Sequence, residues 1–357
     1  MNGFDEYLVD IANFFIVGYS ICMAGILAID IGTHYIKVVE GYQKKNRFIV
    51  RNAGIIRNPI PYAHLNLNEN QQKQFSIFLK NFLRDTKIKR RETVCSIGGE
   101  PVIIHYFDIP DIPEDEIKSS IELELFQVVP GGIENLEYDY HIFPCSDSSK
   151  RTVLVTGIPK IRCDFYVDTL LMSGLRPIIM DIDGLALVNC YLTMDNKIQK
   201  AISILNIGAR YTNLAVIDPD GFVFVRDIDF GGDRITSQIA RNKGVSISDA
   251  EQIKKDPSFK EEVQNIVRGL LPDTLEEVST SLRYFETRMN RNIERILLTG
   301  GSSLIPGILT MIEDGIKISG EIWKPMEGRF ENCKTSEPEC MEVCFSVALG
   351  LLSRKLV

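Results

Sequence analysis

The eight cysteines, at 22, 95, 145, 163, 190, 333, 340 and 344, include no Cys-x-x-Cys pair, and only four histidines accompany them. Neither a disulfide framework nor a common zinc site follows from that pattern, and buried thiols in a reducing compartment are expected. Cys333, Cys340 and Cys344 form the one cluster to weigh as a metal-ligand set. Positive charge is in deficit: the formal net charge is −8. That excludes a general nucleic-acid binder, because phosphate backbones are held by clustered Lys and Arg. The local run from Lys87 to Arg91 reads as a solvated turn after a helix. A long apolar span is missing too. Residues 11 to 29 carry no charge, but if Gly25 to Ile29 opens a sheet, only the 13 residues from 11 to 23 remain, short of the ~20 a membrane helix needs. Asp5 and Glu6 stand where a signal peptide has its basic region. Met23 is a candidate start, with residues 1–22 as an N-terminal extension.

What is present is an ordinary globular composition, 45% hydrophobic and 25% charged, over 357 residues, enough for two or three units. The segment ILAIDIGTHYIKVVEG (26–41) reads as strand, glycine turn and strand, with a third strand from Arg47 to Val50. Phe75, Phe78, Leu79, Phe82 and Leu83 recur at helical spacing, and VCSIGG returns to strand and turn. A compact unit then begins. Strand VIIHYFDI, a helix from Glu114 to about Phe126, two strands over 136–143 and 152–157 joined by the CSDSSK turn, and a helix from Ile161 to Ser173 make a small α+β insert. From Ala201 the strand, turn and strand pattern opens again, with helices on either side of Gly244. A helix over 272–292 carries Leu275, Val278, Leu282, Phe285 and Met289 on one face, strand and glycine turn ERILLTGG follow, and VALGLL reads as a buried helix.

Shifting the chain by 176 positions (206 minus 30) superposes the two openings. Asp30 and Gly32 fall on Asn206 and Gly208, Tyr35 on Tyr211, and Lys37 on Asn213. Two similar halves, each starting with a glycine-turned hairpin, imply a cleft between them. Such turns bring backbone N–H groups together as an anion-binding concavity, and two facing turns can clamp a polyphosphate. An acid at the strand end, Asp30, suits a hydrated Mg²⁺. Lys37 faces the same way toward a phosphate. A third motif, LLTGGSSLIPGI (297–308), lets backbone approach a nucleoside at Gly300 and Gly301, with Ser302 or Ser303 as a helix cap.

The spacing of these three motifs resembles that of the actin, sugar kinase and heat-shock chaperone superfamily. Within it the chain is similar to the PilM family from Met23 to the C-terminus, through DIGTHYIKVVEG, VIIHYFDIPDIPEDEI, VPGGIENLEYDY, MDIDGLAL, DFGGDRIT and LLTGGSSLIPG. The resemblance implies an α/β, actin-like ATPase fold of two similar halves around a nucleotide cleft, with an FtsA-like insert. The units expected are 23–100 and 179–200 (first half), 101–178 (insert) and 201–357 (second half). It further implies ATP and Mg²⁺ as ligands. Asp30 would hold the metal through water; Gly32, Thr33, His34 and Tyr35 would line the first phosphate loop, and Gly208, Ala209 and Arg210 the second. Gly300, Gly301 and Ser302 would lie against adenosine. Glu251 and Lys254 match positions that touch ribose or adenine, while Ser248 to Glu251 also reads as a capping box.

By the same resemblance the chain is a cytoplasmic scaffold of type IV pilus assembly. It would be held at the inner membrane by the cytoplasmic tail of a PilN-like protein, in contact with other platform and motor components, and homo-oligomerisation stays open. Two departures point away from fast hydrolysis. Asn206 stands where active relatives carry Asp, and Asp183 stands where a longer acid positions the attacking water. His34 replaces the usual small hydroxyl residue. The alternatives are a small-molecule kinase of the same superfamily, for which no acceptor motif is found, and FtsA-like or GspL-like scaffolds. The former is expected to end in a basic amphipathic helix and the latter to continue into a membrane span; this sequence stops at SRKLV.

Overall fold

The computed structural model describes residues 25–44, 47–60, 68–100, 102–129, 131–143, 150–194, 198–327, 333–335 and 341–354. The N-terminal extension, the CSDSSK turn and the Cys333/Cys340/Cys344 cluster as a set lie outside the described residues or side chains. Cys95, Cys163, Cys190 and Cys344 are buried and form no disulfide.

Runs rich in Ile, Leu and Val produce an antiparallel meander of β1 (Ile26–Ile31), β2 (Tyr35–Lys44) and β3 (Arg47–Arg57). The last strand runs well past the expected Val50, since Ala53 and Ile55 bury inward opposite β2. Helix α1 (Glu69–Asp85) starts at an Asn68/Gln71 capping box and buries Phe75, Leu79, Phe82 and Leu83, as its spacing predicts. It leads to β4 (Glu92–Ile97), parallel to β1.

The insert follows as β5 (Ile103–Pro110), α2 (Glu114–Val128), β6 (Leu136–Phe143) and β7 (Lys150–Pro159), a three-stranded sheet in the order β5-β7-β6. It has its own small core of Ile109, Ile117, Ile121, Leu125, Val153 and Val155. Helix α3 (Lys160–Met172) instead sends Cys163, Tyr166 and Leu170 into the main core and packs on α1, with Gln72 Nε2 donating to Thr169 Oγ1 at 3.0 Å. Strand β8 (Arg176–Ile182) returns parallel to β4, and α4 (Asp183–Met194) follows, apolar on almost every face and therefore buried.

The second half repeats the first, with β9 (Ala201–Ile207), β10 (Thr212–Ile217) and β11 (Val223–Ile228) as a meander. Then come α5 (Gly232–Lys243), α6 (Ile247–Lys255) and α7 (Lys260–Met289). The chain continues through β12 (Ile293–Thr299), α8 (Ile308–Ile316), β13 (Gly320–Ile322), β14 (Cys333–Thr335), α9 (Met341–Cys344) and α10 (Ser346–Leu351). Pro272 does not start a helix as its ring suggests. It lies inside α7, which begins at Lys260 and buries Val263, Val267 and Leu271 before it and Val278, Leu282 and Phe285 after it. That two-sided burial offsets the ~3 kcal/mol an interior proline costs.

The sheet orders β14-β3-β2-β1-β4-β8 and β11-β10-β9-β12-β13 carry the same arrangement of meander plus parallel strands. Helices α4 and α10 pack together between them. A Cβ on Gly350 would stand 1.8 Å from the Ala186 carbonyl oxygen, so only glycine permits this approach.

Candidate nucleotide cleft

In the first hairpin Gly32 N–H donates to Tyr35 O at 3.0 Å; in the second Gly208 N–H donates to Tyr211 O at 3.0 Å. Register then places Asp30 opposite Lys37 and Asn206 opposite Asn213. The same cross-strand position is thus ionic in one half and amide in the other. Lys37 Nζ lies 2.8 Å from Asp30 Oδ2, and Asn206 Nδ2 donates to Asn213 Oδ1 at 2.8 Å. Burial alone would lower the Lys37 ammonium, but the charge of Asp30 and the hydrogen bond to it hold it above the usual lysine range. The first loop is braced by Asn58, whose side-chain amide donates to Gly32 O at 2.9 Å.

Beyond Asn213 the row continues onto β11, where Asn213 Nδ2 donates to Asp227 Oδ1 at 2.6 Å and Gly99 N–H of the first half donates to Asp227 Oδ2 at 2.6 Å. Burial raises the Asp227 carboxyl, and these two donors oppose it. Gly99 is what lets the halves close here, and Gly98 makes room for Asp183 within the first half. A Cβ on Gly99 would sit 2.1 Å from the Tyr211 ring, and one on Gly98 would sit 2.2 Å from Asp183 Oδ2. Asp183 accepts from Ser96 Oγ at 2.6 Å. Burial pushes its carboxyl up to about 8, reinforced by the neighbouring Asp30 charge and opposed by Ser96 and Lys37.

The third motif and α5 form the opposite wall. Gly300 has φ of +87°, and a Cβ there would sit 2.5 Å from Asn206 Oδ1. Neither serine caps a helix as its position suggests. Ser302 Oγ donates to Gly208 O at 2.8 Å, Ser303 Oγ donates to Gly300 O at 2.6 Å, and α8 begins only at Ile308, after Gly307, which makes no side-chain cap. The capping reading of Glu251 is corrected too. Ser246 is the N-cap of α6, accepting from Asp249 N, whereas Glu251 is buried. Its Oε2 lies 2.6 Å from Lys254 Nζ and accepts from Thr236 Oγ1 at 2.7 Å. Burial works against that carboxylate, but Lys254 and Thr236 hold it below the usual glutamate range. Across the mouth, His34 Nε2 meets Asp233 Oδ1 at 2.9 Å and Lys255 Nζ lies 3.4 Å from the Tyr35 hydroxyl.

These parts enclose a cavity of about 530 Å³, within the range of a small-ligand site. Asp30, Gly32, Thr33, His34, Tyr35, Lys37 and Asp183 line it from the first half. Asn206, Gly208, Ala209, Arg210, Glu251, Lys254, Gly300, Gly301 and Ser302 line it from the second. Sequence reasoning passed over Ser96, Gly98 and Tyr166 in this lining and Asp227 behind it, and it placed Tyr211 and Asn213 in the second hairpin without assigning them to the lining. The glycine pair of VCSIGG and the acid inside strand VFVRDI were the available signals.

The type IV pilus assembly protein PilM family profile matches residues 28–355. The chain belongs to the PilM family. A solved PilM-PilN type IV pilus biogenesis complex contains a chain 21% identical, with TM-score 0.75, covering 92% of this chain and 97% of that one. The ethanolamine utilization protein EutJ from Carboxydothermus hydrogenoformans is 14% identical with TM-score 0.57, covering 98% and 99% of the two chains. Cell division protein FtsA of Bacillus subtilis (strain 168) is 25% identical over 179 residues, 43% of this chain, and the match spans 40% of the length of FtsA. The fold of this PilM-family chain is the actin-like ATPase fold. Among the described residues no helix is long and apolar enough to cross a membrane.

Proposed function

We propose that the cleft binds ATP with Mg²⁺ and that the chain is a nucleotide-loaded scaffold of type IV pilus assembly which hydrolyses ATP slowly or not at all. The observation that carries this reading is the matched pair of glycine-turn hairpins with an acid on only one of them. The loops at Gly32–Tyr35 and Gly208–Arg210 would cradle the phosphates, with Lys37 supplying positive charge. The Gly300–Ser302 turn would take the adenosine, with Glu251 and Lys254 beside the ribose or base. The donor set fits a mostly hydrated Mg²⁺: Asp30 engages Lys37 through Oδ2, leaving Oδ1 for a metal-bound water, and among the described residues no cluster of three His, Cys, Asp or Glu forms a protein cage. The metal, when bound, would neutralise phosphate charge. Hydrolysis is slow in this reading because Asn206 cannot accept a proton and the short Asp183 side chain, held by Ser96 Oγ at 2.6 Å, stands where a longer acid would position the attacking water.

The insert is the proposed docking unit for the cytoplasmic tail of a PilN-like inner-membrane protein, which would hold the chain at that membrane. Strand β5 is tied to the second half, as Tyr106 OH donates to Val223 O at 3.2 Å and accepts from Val225 N at 2.9 Å. Strand β6 is the other edge of the sheet, open to an incoming strand beside α3. Calorimetry with Mg·ATP tests the cleft: Asp30→Ala is expected to bind at least tenfold more weakly than wild type, and equal affinity overturns the assignment. Hydrogen exchange with a PilN-like tail peptide tests the docking. Protection is expected at β6 and α3, and protection confined to the second half rejects it.

A further inference from the structure

The parallel strands β1, β4 and β8 point their C-terminal ends at the cleft, so their N-terminal ends form a rim about 20 Å away at ~3.3 Å per residue. That rim is basic. A concavity of about 580 Å³ there is lined by Arg51, Lys89, Arg90, Arg91 and Arg176, contributed by β3, the segment before β4 and the start of β8. Two carboxylates share the concavity, and both are engaged. Glu40 accepts from Asn52 Nδ2 at 2.6 Å and from Arg90 N–H at 3.2 Å, and Glu92 pairs with Arg176. Among the described residues Lys89 and Arg91 are exposed and have no carboxylate partner. Leu171 and Met172, at the end of α3 and just before the Gly174–Leu175 segment that lines the concavity, remain 52% and 44% exposed.

We propose that this rim is a docking surface for an anionic lipid bilayer. A chain with a net charge of −8 is repelled as a whole by such a surface, so attachment requires cations concentrated within about one Debye length, ~8 Å, of the membrane. The rim supplies them on the side away from the nucleotide cleft, leaving the cleft open to solvent. Leu171 and Met172 decide between a bilayer and an acidic peptide. A peptide satisfies the cations alone, while the boundary between headgroups and acyl chains takes both the cations and the adjoining aliphatic side chains. The run from Lys87 to Arg91 thus has a partner chemistry instead of being only a solvated turn. The inference does not rest on the nucleotide reading.

Vesicle co-sedimentation of the full chain tests it, using phosphatidylcholine alone and phosphatidylcholine with one third phosphatidylglycerol. Wild type is expected to bind only the anionic vesicles and to be released between about 50 and 300 mM NaCl, values chosen to span strong to weak attraction as screening rises. At about fivefold per basic residue, Lys89→Gln/Arg91→Gln is expected to bind roughly 25-fold more weakly, with its unfolding midpoint unchanged. Leu171→Ser/Met172→Ser is expected to weaken binding to the anionic vesicles without removing its salt dependence. Equal sedimentation with neutral vesicles overturns the proposal, as does full binding by the Lys89/Arg91 variant. Polyglutamate that displaces the protein from vesicles in wild type and the Leu171/Met172 variant alike overturns the choice of a bilayer in favour of an acidic protein segment.

Discussion

Replacing Asn206 by aspartate introduces the acid of the active relatives, and the hydrogen-bond row predicts that it fails when made alone. Asp227 accepts from both Gly99 N–H and Asn213 Nδ2, so Asn213 must turn its carbonyl oxygen toward position 206. The side chain at that position must therefore donate, and Asn206 does so at 2.8 Å. A carboxylate introduced there would set oxygen against oxygen at that distance. Flipping the Asn213 amide would only move the clash to Asp227. A buried hydrogen bond lost and an acceptor left facing another acceptor cost about 1–3 kcal/mol, so Asn206→Asp is expected to lose about 2 kcal/mol in denaturant unfolding of the nucleotide-free chain. Adding Asn213→Lys copies the Asp30–Lys37 pair of the first hairpin, which stands at 2.8 Å, and also gives Asp227 a cation. The double variant is expected to recover most of the loss, a coupling of roughly 2 kcal/mol against the ~0.3–0.5 kcal/mol scatter of independent sites. Single-turnover ATP hydrolysis provides the second readout: the double variant is expected to exceed wild type and the single variant is not. Additive stabilities, or an Asn206→Asp protein within ~0.5 kcal/mol of wild type, would refute the reasoning about the row.

Three further expectations concern groups around the cleft and the core. Because the folded Asp183 carboxyl is raised to about 8, its favourable contribution is present below the unfolded value of ~3.9 and is lost as pH rises through about 8. Asp183→Asn should therefore flatten the fall in stability between those values, which reaches at most ~1.4 kcal/mol per pH unit, as read from unfolding midpoints across pH. Arg354 and Asp181 form a buried bidentate pair at 2.5 and 2.6 Å. Arg354→Ala should destabilise the chain by about 3–5 kcal/mol by stranding the carboxylate, and Arg354→Leu with Asp181→Leu should cost far less in the same assay. Gly300→Ala forces a side chain into φ of +87° and against Asn206 and Ile207. A stability loss above about 1 kcal/mol is expected, together with loss of nucleotide binding by calorimetry.

Much of the cleft is written locally. The hairpin of Asp30, Gly32 and Lys37, its copy at Asn206, Gly208 and Asn213, and the Gly300–Gly301 turn are legible because each depends on neighbours within about ten residues: strand alternation, a turn that needs glycine, a side chain that faces where its register dictates. The shift of 176 positions adds that the two hairpins face each other. The continuous apolar runs of β1 and β9 and the helical spacing of α1 likewise determine those elements with little dependence on the rest of the chain. The boundaries of α7 are different. Pro272 signals a helix start, and only packing on both sides of it carries the helix from Lys260 onward.

Tertiary structure alone decides which groups answer one another across long separations. Asp227 joins the hairpin row through the β10–β11 register and meets Gly99 from the other half. Glu251 abandons a helix cap for Thr236 and Lys254 because α5 and α6 pack face to face. Arg51, Arg91 and Arg176 come from three separate segments and are gathered only where strand ends converge. Local sequence sets the conformation of a turn through short-range sterics. The charge, hydrogen bonding and proton affinity of a buried side chain are set by whatever the fold places within a few ångströms of it, and those neighbours lie tens to hundreds of residues away.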